Sequence, residues 1–219
     1  MSAIFQKGSQ GLRSKKQHVK ALILIDLQND FGPGGMAEIS GSGQAIAVAN
    51  HLMEKFECII ALRDWHPANH LSFAANHPWR KPWQIIESHG LPQLLWPMHC
   101  VQNTFGAEMA IALRQEKIDR HFFKGTDPDM DSYGGFFDNA HLNDSGLASY
   151  LHERGIEELY LLGFPLEFGV KQTALDGLAL GFRVRIVEDA CPAMEEGEGA
   201  GALEEIIGRG GVLVRWNDI

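Results

Sequence analysis

A carboxylate and two histidines lie within a stretch of seven residues, at Asp64, His66 and His70. They follow a short apolar run, residues 58–62, which predicts a buried strand. Asp64 and His66 are two positions apart, so an extended chain directs both to the same side, and His70 is near enough to return there. Carboxylates and neutral imidazoles bind divalent metals such as zinc, iron or manganese. The spacing predicts a metal site, but ordinary loop histidines bonded to backbone would give the same pattern.

The composition limits the classes of protein to which the chain can belong. Its 219 residues are 45% hydrophobic, enough for one core, and their formal net charge is −9. This negative charge argues against nucleic acid or an anionic membrane as a partner, and no apolar run approaches the roughly 20 residues of a membrane helix. Three cysteines without paired spacing indicate a reducing compartment, so we expect a cytoplasmic protein.

Apolar runs and helical periodicities alternate from residue 20 to residue 219, which we interpret as one domain after a loose polar extension, residues 1–19. This alternation predicts an α/β fold, with a parallel sheet between two layers of helices. The long stretch between residues 64 and 103 is too long for a simple connection and is expected to be functional. The predicted strands are residues 21–27, 58–62, 120–124, 158–162, 183–187 and 211–214, and the predicted helices are residues 43–56, 147–154, 167–180 and 200–207.

Polar side chains occur where three of the predicted strands end. Asp26 closes the first strand, Asp64 and His66 follow the second, and Lys124 ends the third. Ligands of open α/β sheets bind in the crevice outside the carboxyl ends of the strands, so these four side chains should converge. Singly, Asp26 could be a solvated carboxylate and Lys124 a surface amine, but their joint position favours a site. We expect Asp26 and Lys124 to form an ion pair in which both groups are charged.

Five short motifs occur in an order that is typical of one family of hydrolases. They are DLQNDF at residues 26–31, DWHP at 64–67, WPMHC at 96–100, FKG at 123–125 and DSYGGF at 131–136. With these motifs the chain resembles nicotinamidase/pyrazinamidase, of the isochorismatase-like cysteine hydrolases, over most of its length. The resemblance implies a six-stranded parallel sheet and one bound divalent metal. It also implies hydrolysis of nicotinamide to nicotinate and ammonia in NAD salvage, with pyrazinamide as an analogue.

The resemblance further implies which residues bind the metal and which contact the substrate. Zinc is the first choice of metal, with iron or manganese as alternatives, and the implied ligands are Asp64, His66, His70 and His99. The side chains implied in substrate contact are Phe31, Trp96, Tyr133, Phe164 and Pro165. Phe31 and Trp96 would lie on the two faces of the pyridine ring.

The third catalytic group of this family is missing from the chain. Asp26 and Lys124 match two catalytic groups, but the family's nucleophilic cysteine corresponds to Gly169. A thiolate at a helix N-terminus is activated by the helix dipole and a nearby cation, and glycine offers nothing to activate. Pro165 stands where the family uses a backbone N–H in its oxyanion hole, a donor worth about two to three orders of magnitude in rate. The family also has a cis peptide at Phe164–Pro165.

Other groups could replace the missing cysteine. Cys191 follows the fifth strand at the same edge, and a metal-bound hydroxide could attack directly, since zinc lowers the pKa of its water to about 7. Glu167 is better interpreted as a partner of a helix dipole. Two functions stay open: an amidohydrolase that works weakly or by a changed route, and a non-catalytic protein that binds metal and a pyridine-type ligand as a sensor or partner module. In both cases the expected partner is a small molecule, an amide such as nicotinamide, and a homo-oligomer stays open.

Overall fold

The core of the protein is a six-stranded parallel sheet, seen in a computed structural model that describes residues 19–219. Helices flank the sheet, and α1 packs against β6 while α3 packs against β7. Along the described chain the elements are β1 (Lys20–Ile25), α1 (Ser42–Leu52), β2 (Ile59–Asp64), β3 (Ile85–Ser88), β4 (Leu91–Leu94), β5 (Arg120–Lys124), α2 (Leu147–Glu153), β6 (Glu158–Gly163), α3 (Lys171–Ala179), β7 (Arg183–Val187), α4 (Glu196–Gly208) and β8 (Val212–Val214).

The predicted fold class is confirmed, with shifts at the ends of some elements. β2 extends two residues further than expected, so Asp64 is the last residue of the strand and not part of the following loop. The predicted helix 167–180 begins with a π-helical turn, Leu166–Val170, before α3. α4 starts four residues early, since glycines at alternate positions conceal its periodicity. The predicted extension, residues 1–19, lies outside the described residues except for Val19.

The order in which the chain adds strands reverses between β1 and β6, and this reversal creates the crevice in which a ligand can bind. The strand order is β5-β2-β1-β6-β7-β8, so the chain builds outward from β1 to β5 and then returns to β6 on the other side. Gly163 ends β6 at a φ of +132°, where a Cβ would overlap the carbonyl of Ile25. Only glycine allows this close approach, which brings the segment after β6 next to the end of β1.

A small hairpin within residues 64–103 was not predicted. β3 and β4 pair in antiparallel register beside the main sheet. Pro92 and several polar residues conceal the strand pattern. His89 and Gly90 connect the strands, and their positive φ angles, 52° and 75°, are those of a tight hairpin turn. Among the described residues, none of the helices is long and apolar enough to cross a membrane.

Candidate active site

A narrow pocket lies at the carboxyl edge of the sheet, beside the crevice between β1 and β6. Ten of the residues predicted for the site contribute to its wall: Asp26, Phe31, Asp64, His66, Trp96, His99, Lys124, Tyr133, Pro165 and Gly169. Four further wall residues were not predicted: Ser72, Asp131, Ser132 and Phe168. Two predicted site residues, His70 and Phe164, lie outside the wall.

Lys124 lies between two buried carboxylates at the floor of this pocket. Its Nζ is 2.9 Å from Oδ2 of Asp26 and even closer to Oδ1 of Asp64. The three residues are between 1% and 7% exposed. Asp26 has a φ of +54°, a conformation rare for a residue with a side chain and found most often at functional sites. The predicted ion pair between Asp26 and Lys124 is therefore confirmed.

The two carboxylates differ in how strongly they hold a proton. Burial raises the pKa of Asp26 to about 7, despite the opposing charge of Lys124. Burial also acts to raise the pKa of Asp64, but Lys124 and His66 outweigh it and hold that pKa well below its usual range. The expectation of a fully ionised Asp26 is thus wrong in part, because one lysine cannot neutralise two buried carboxylates. A carboxyl group with a pKa near 7 can exchange a proton at neutral pH.

Two histidines face Asp64 through their Nε2 atoms. The Nε2 atoms of His66 and His99 each lie 3.6 Å from Oδ2 of Asp64. Their Nδ1 atoms lie 2.9 Å from the carbonyl oxygens of Gly125 and Pro97 respectively. A carbonyl only accepts, so in the neutral rings each Nδ1 carries the hydrogen and each Nε2 keeps a lone pair. One carboxylate oxygen and two imidazole nitrogens that converge in this way form a donor set that fits a divalent metal.

The backbone at Gly125 is adapted to this arrangement. Its φ is +61°, and a Cβ at this position would overlap the ring of His66. Only glycine can therefore bring this carbonyl to the Nδ1 of His66. The FKG motif thus supplies both the lysine and the group that orients a candidate metal ligand.

His70 does not belong to the converging donor set of Asp64, His66 and His99. The backbone N–H of Ser72 donates to Nδ1 of His70 over 3.2 Å, so the hydrogen of the neutral ring is on Nε2, which lies 3.3 Å from the carbonyl of Met130. Burial lowers the pKa of His70 to about 4, which keeps the ring neutral. His70 groups instead with His66 and Asp131. Its role as a metal ligand stays a prediction and requires release of Met130.

Gly169, the position predicted for the missing nucleophile, faces the buried carboxyl group of Asp26. A Cβ at Gly169 would lie 2.9 Å from Oδ2 of Asp26 and 3.6 Å from the carbonyl oxygen of Tyr133. None of the three cysteines, all among the described residues, lines the pocket. Cys191 is buried, its Sγ donates to the carbonyl of Leu161 over 3.8 Å, and burial raises its pKa to about 12. The structure therefore gives no support to Cys191 as a replacement nucleophile.

The segment that follows β6 also lacks a spare backbone donor at the expected place. Phe164–Pro165 is a cis peptide, and Pro165 lines the pocket without an N–H. The next N–H, of Leu166, donates to the carbonyl of Pro192 over 3.0 Å. Oε1 of Glu167 accepts hydrogen bonds from the backbone N–H groups of Met194 and Glu195, directly before α4. Glu167 therefore interacts with the N-terminal end of α4 and not with that of its own helix.

Aromatic rings cover one side of the pocket. Phe168 makes edge contacts with Trp96 and Tyr133, with ring centroids 5.0 and 5.3 Å apart. Phe164 is fully buried and packs behind Phe31, at 6.3 Å, so the structure does not support its predicted contact with the substrate. The aromatic wall residue in this segment is Phe168, whose position next to Gly169 was the sequence signal that could have identified it.

The buried ion triad makes Lys124 important for stability. Lys124→Ala leaves Asp26 and Asp64 buried without their shared cation, so we expect a loss of about 3–5 kcal/mol in the free energy of unfolding. Urea denaturation of the metal-free protein at pH 7 measures this loss. Lys117→Ala, which removes a surface pair with Glu54, is the matched control and should change stability little. Equal stability of the two variants would contradict the triad.

Comparison with known proteins identifies relatives with this fold. A family model described as the isochorismatase domain matches residues 20–218. The nicotinamidase of Escherichia coli is 42% identical over 176 residues, which cover 78% of this chain and 82% of that protein. The structure of an Acinetobacter baumanii nicotinamidase and pyrazinamidase has a TM-score of 0.89 at 37% identity, covering 93% of this chain and 99% of the other. A pyrazinamidase of Pyrococcus horikoshii in complex with zinc has a TM-score of 0.73 at 34% identity, covering 90% and 99%.

Proposed function

Because this chain belongs to the isochorismatase family, and within it to the nicotinamidases, we propose that it binds nicotinamide-type amides beside a divalent metal and hydrolyses them only slowly. The observation that carries the proposal is Gly169, which faces Asp26 where the family has its cysteine. In this proposal the protein keeps the groups that bind the amide and the acid Asp26, but the covalent route has no nucleophile. The setting we propose is NAD salvage in the cytoplasm.

The shape and lining of the pocket support a flat aromatic amide as the ligand. Phe31 and Trp96 line it as apolar rings, and Asp26 and Lys124 lie at its polar end. Ligand pockets typically combine apolar walls with a few fixed polar groups. A pyridine ring between Phe31 and Trp96 would direct its carboxamide toward Asp26 and Gly169.

The metal in this proposal is held by Asp64, His66 and His99. We propose zinc, with iron or manganese as alternatives, because the donors are one carboxylate and two imidazoles. The zinc-bound relative from Pyrococcus horikoshii supports this choice. When bound, the ion supplies a strong positive charge that can polarise a ligand and hold it in position.

The slow rate follows from two departures in the segment after β6. Gly169 removes the thiol that would attack the amide, and Pro165 removes a donor to the oxyanion. Loss of one such donor costs about 10²–10³ in rate, and loss of a nucleophile commonly costs more. A second candidate, a non-catalytic binding protein, is favoured by the same glycine, and complete absence of turnover would select it.

Calorimetric titration of the metal-loaded protein with nicotinamide tests the binding proposal. We expect one site, and Trp96→Ala should weaken binding about tenfold because a ring contact contributes about 0.5–1.5 kcal/mol in addition to the buried area. Trp79→Ala is the matched control, since Trp79 is fully exposed and outside the pocket. The proposal fails if neither nicotinamide nor pyrazinamide binds, or if the two variants bind equally.

A further inference from the structure

We propose that the space beside Gly169 holds a water molecule that replaces the missing thiol, and that Asp26 activates this water for direct attack on the amide. The inference rests on the proposed function, because it assumes that an amide is bound in the pocket. It adds a mechanism: a single displacement by water without a covalent intermediate.

Gly169 and Asp26 together form a site for water. Gly169 has no side chain in the direction of Oδ2 of Asp26, and the pocket that both residues line has room for a water molecule. A Cβ at Gly169 would lie only 2.9 Å from Oδ2 of Asp26 and 3.1 Å from Cγ2 of Ile25, so a side chain here would crowd Asp26. The glycine leaves Asp26 in contact with the pocket that both residues line.

Asp26 has unused capacity to accept hydrogen bonds. Its Oδ2 accepts from Lys124, whereas its buried Oδ1 has no partner among residues 19–219. A carboxylate has about four lone-pair positions, so Asp26 can accept from Lys124 and from a water at the same time. The oxygen nearest to Gly169 is Oδ2, so the water would share this oxygen with Lys124.

A second acceptor lies near Gly169. The carbonyl oxygen of Tyr133 is 3.6 Å from the Cβ position of Gly169. A water within reach of both oxygens would donate one hydrogen to Asp26 and the other to Tyr133, and its lone pairs would face the amide. Lys124 holds Asp26 in place, so the direction of attack would be fixed by buried groups.

The proposed step balances without another reactant. The water oxygen forms a bond to the amide carbon while one water proton moves to the carboxylate of Asp26. In the resulting tetrahedral species, Asp26 returns that proton to the amide nitrogen, the C–N bond breaks and ammonia leaves. The acid product then ionises, and Asp26 is again a carboxylate. The route is slow because Pro165 provides no donor to the developing oxyanion.

Gly169→Ala tests the inference, because a methyl group fills the water site without adding a nucleophile. We expect wild-type protein to release ammonia from nicotinamide slowly but above the protein-free blank over long incubations. Gly169→Ala and Asp26→Asn should each lower that rate about 10²-fold or more, to the blank. Gly201→Ala is the matched control: a Cβ there contacts nothing within 4 Å, and its rate should equal that of wild type.

Hydroxylamine separates a direct from a covalent route. A thioester intermediate would transfer its acyl group to hydroxylamine, so wild-type protein should form no hydroxamate beyond the protein-free blank and Gly169→Cys should form it readily. The inference is overturned if Gly169→Ala keeps the wild-type rate while it folds and binds nicotinamide. It is also overturned if wild-type protein forms hydroxamate beyond the blank, or if wild-type protein releases no ammonia. Nicotinamide binding is measured by calorimetry on the same preparations. Binding without ammonia release contradicts this inference but not the binding proposal, whereas absence of binding contradicts the proposed function itself.

Discussion

Replacing Gly169 by cysteine is expected to raise nicotinamide hydrolysis by up to about 10⁶-fold over wild type, the cost found when a nucleophile is lost. The oxyanion donor that Pro165 lacks is missing from both proteins, so it lowers both rates and cancels in their ratio. The new Cβ would lie 2.9 Å from Oδ2 of Asp26 and 3.1 Å from Cγ2 of Ile25, so the segment of Gly169 and these side chains must adjust by a few tenths of an ångström. Asp26 could then accept the proton of the thiol, and Lys124 lies beside it. Ammonia release under saturating nicotinamide measures the change.

Gly201→Cys is the control for this gain. It places a thiol on the exposed part of α4, where a side chain contacts nothing within 4 Å, and should give no increase. An equal increase in both variants would show that the position next to Asp26 is unimportant. Gly169→Cys combined with Pro165→Ala should be faster than Gly169→Cys alone, because alanine supplies the backbone N–H that proline lacks.

Removing two candidate metal ligands together is expected to abolish metal binding. Wild-type protein should bind one divalent ion, and Asp64→Ala with His66→Ala should bind none, because only His99 of the converging donor set is left. Metal analysis after loading and desalting measures the stoichiometry. With zinc, X-ray absorption should give nitrogen distances of about 2.0–2.1 Å.

His89→Ala is the control for the metal experiment. His89 is exposed in the turn between β3 and β4, so its loss should leave one bound ion. A stoichiometry near zero for wild-type protein, or near one for the double variant, would contradict the proposed site. His70→Ala then tests the remaining predicted ligand, whose Nε2–H donates to the carbonyl of Met130.

The strand ends explain why so much of the site could be predicted from sequence. Asp26, Asp64 and Lys124 each follow an apolar run, and parallel strands bring their carboxyl ends to one edge. The two-residue spacing placed His66 beside Asp64. These inferences need only the direction and periodicity of the chain, which local sequence contains.

The features that were missed depend on contacts between distant segments. The pKa of Asp26 depends on complete burial and on a lysine shared with Asp64, and no local pattern reports the balance between them. The orientation of His70 depends on Met130, sixty residues away in sequence, as well as on the neighbouring Ser72. Phe164 was predicted in the wall and Phe168 was not, because the π-helical turn after β6 determines which ring faces the pocket.

The rate at which purified, metal-loaded wild-type protein releases ammonia from nicotinamide tests the central claim most directly. That claim is that the protein keeps the binding site of the nicotinamidases but lacks their covalent route at Gly169. The account predicts a rate several orders of magnitude below the roughly 1–10³ per second of ordinary enzymes, with nicotinamide bound. A rate within that ordinary range would contradict it, because an efficient nucleophile would then exist that Gly169 cannot provide.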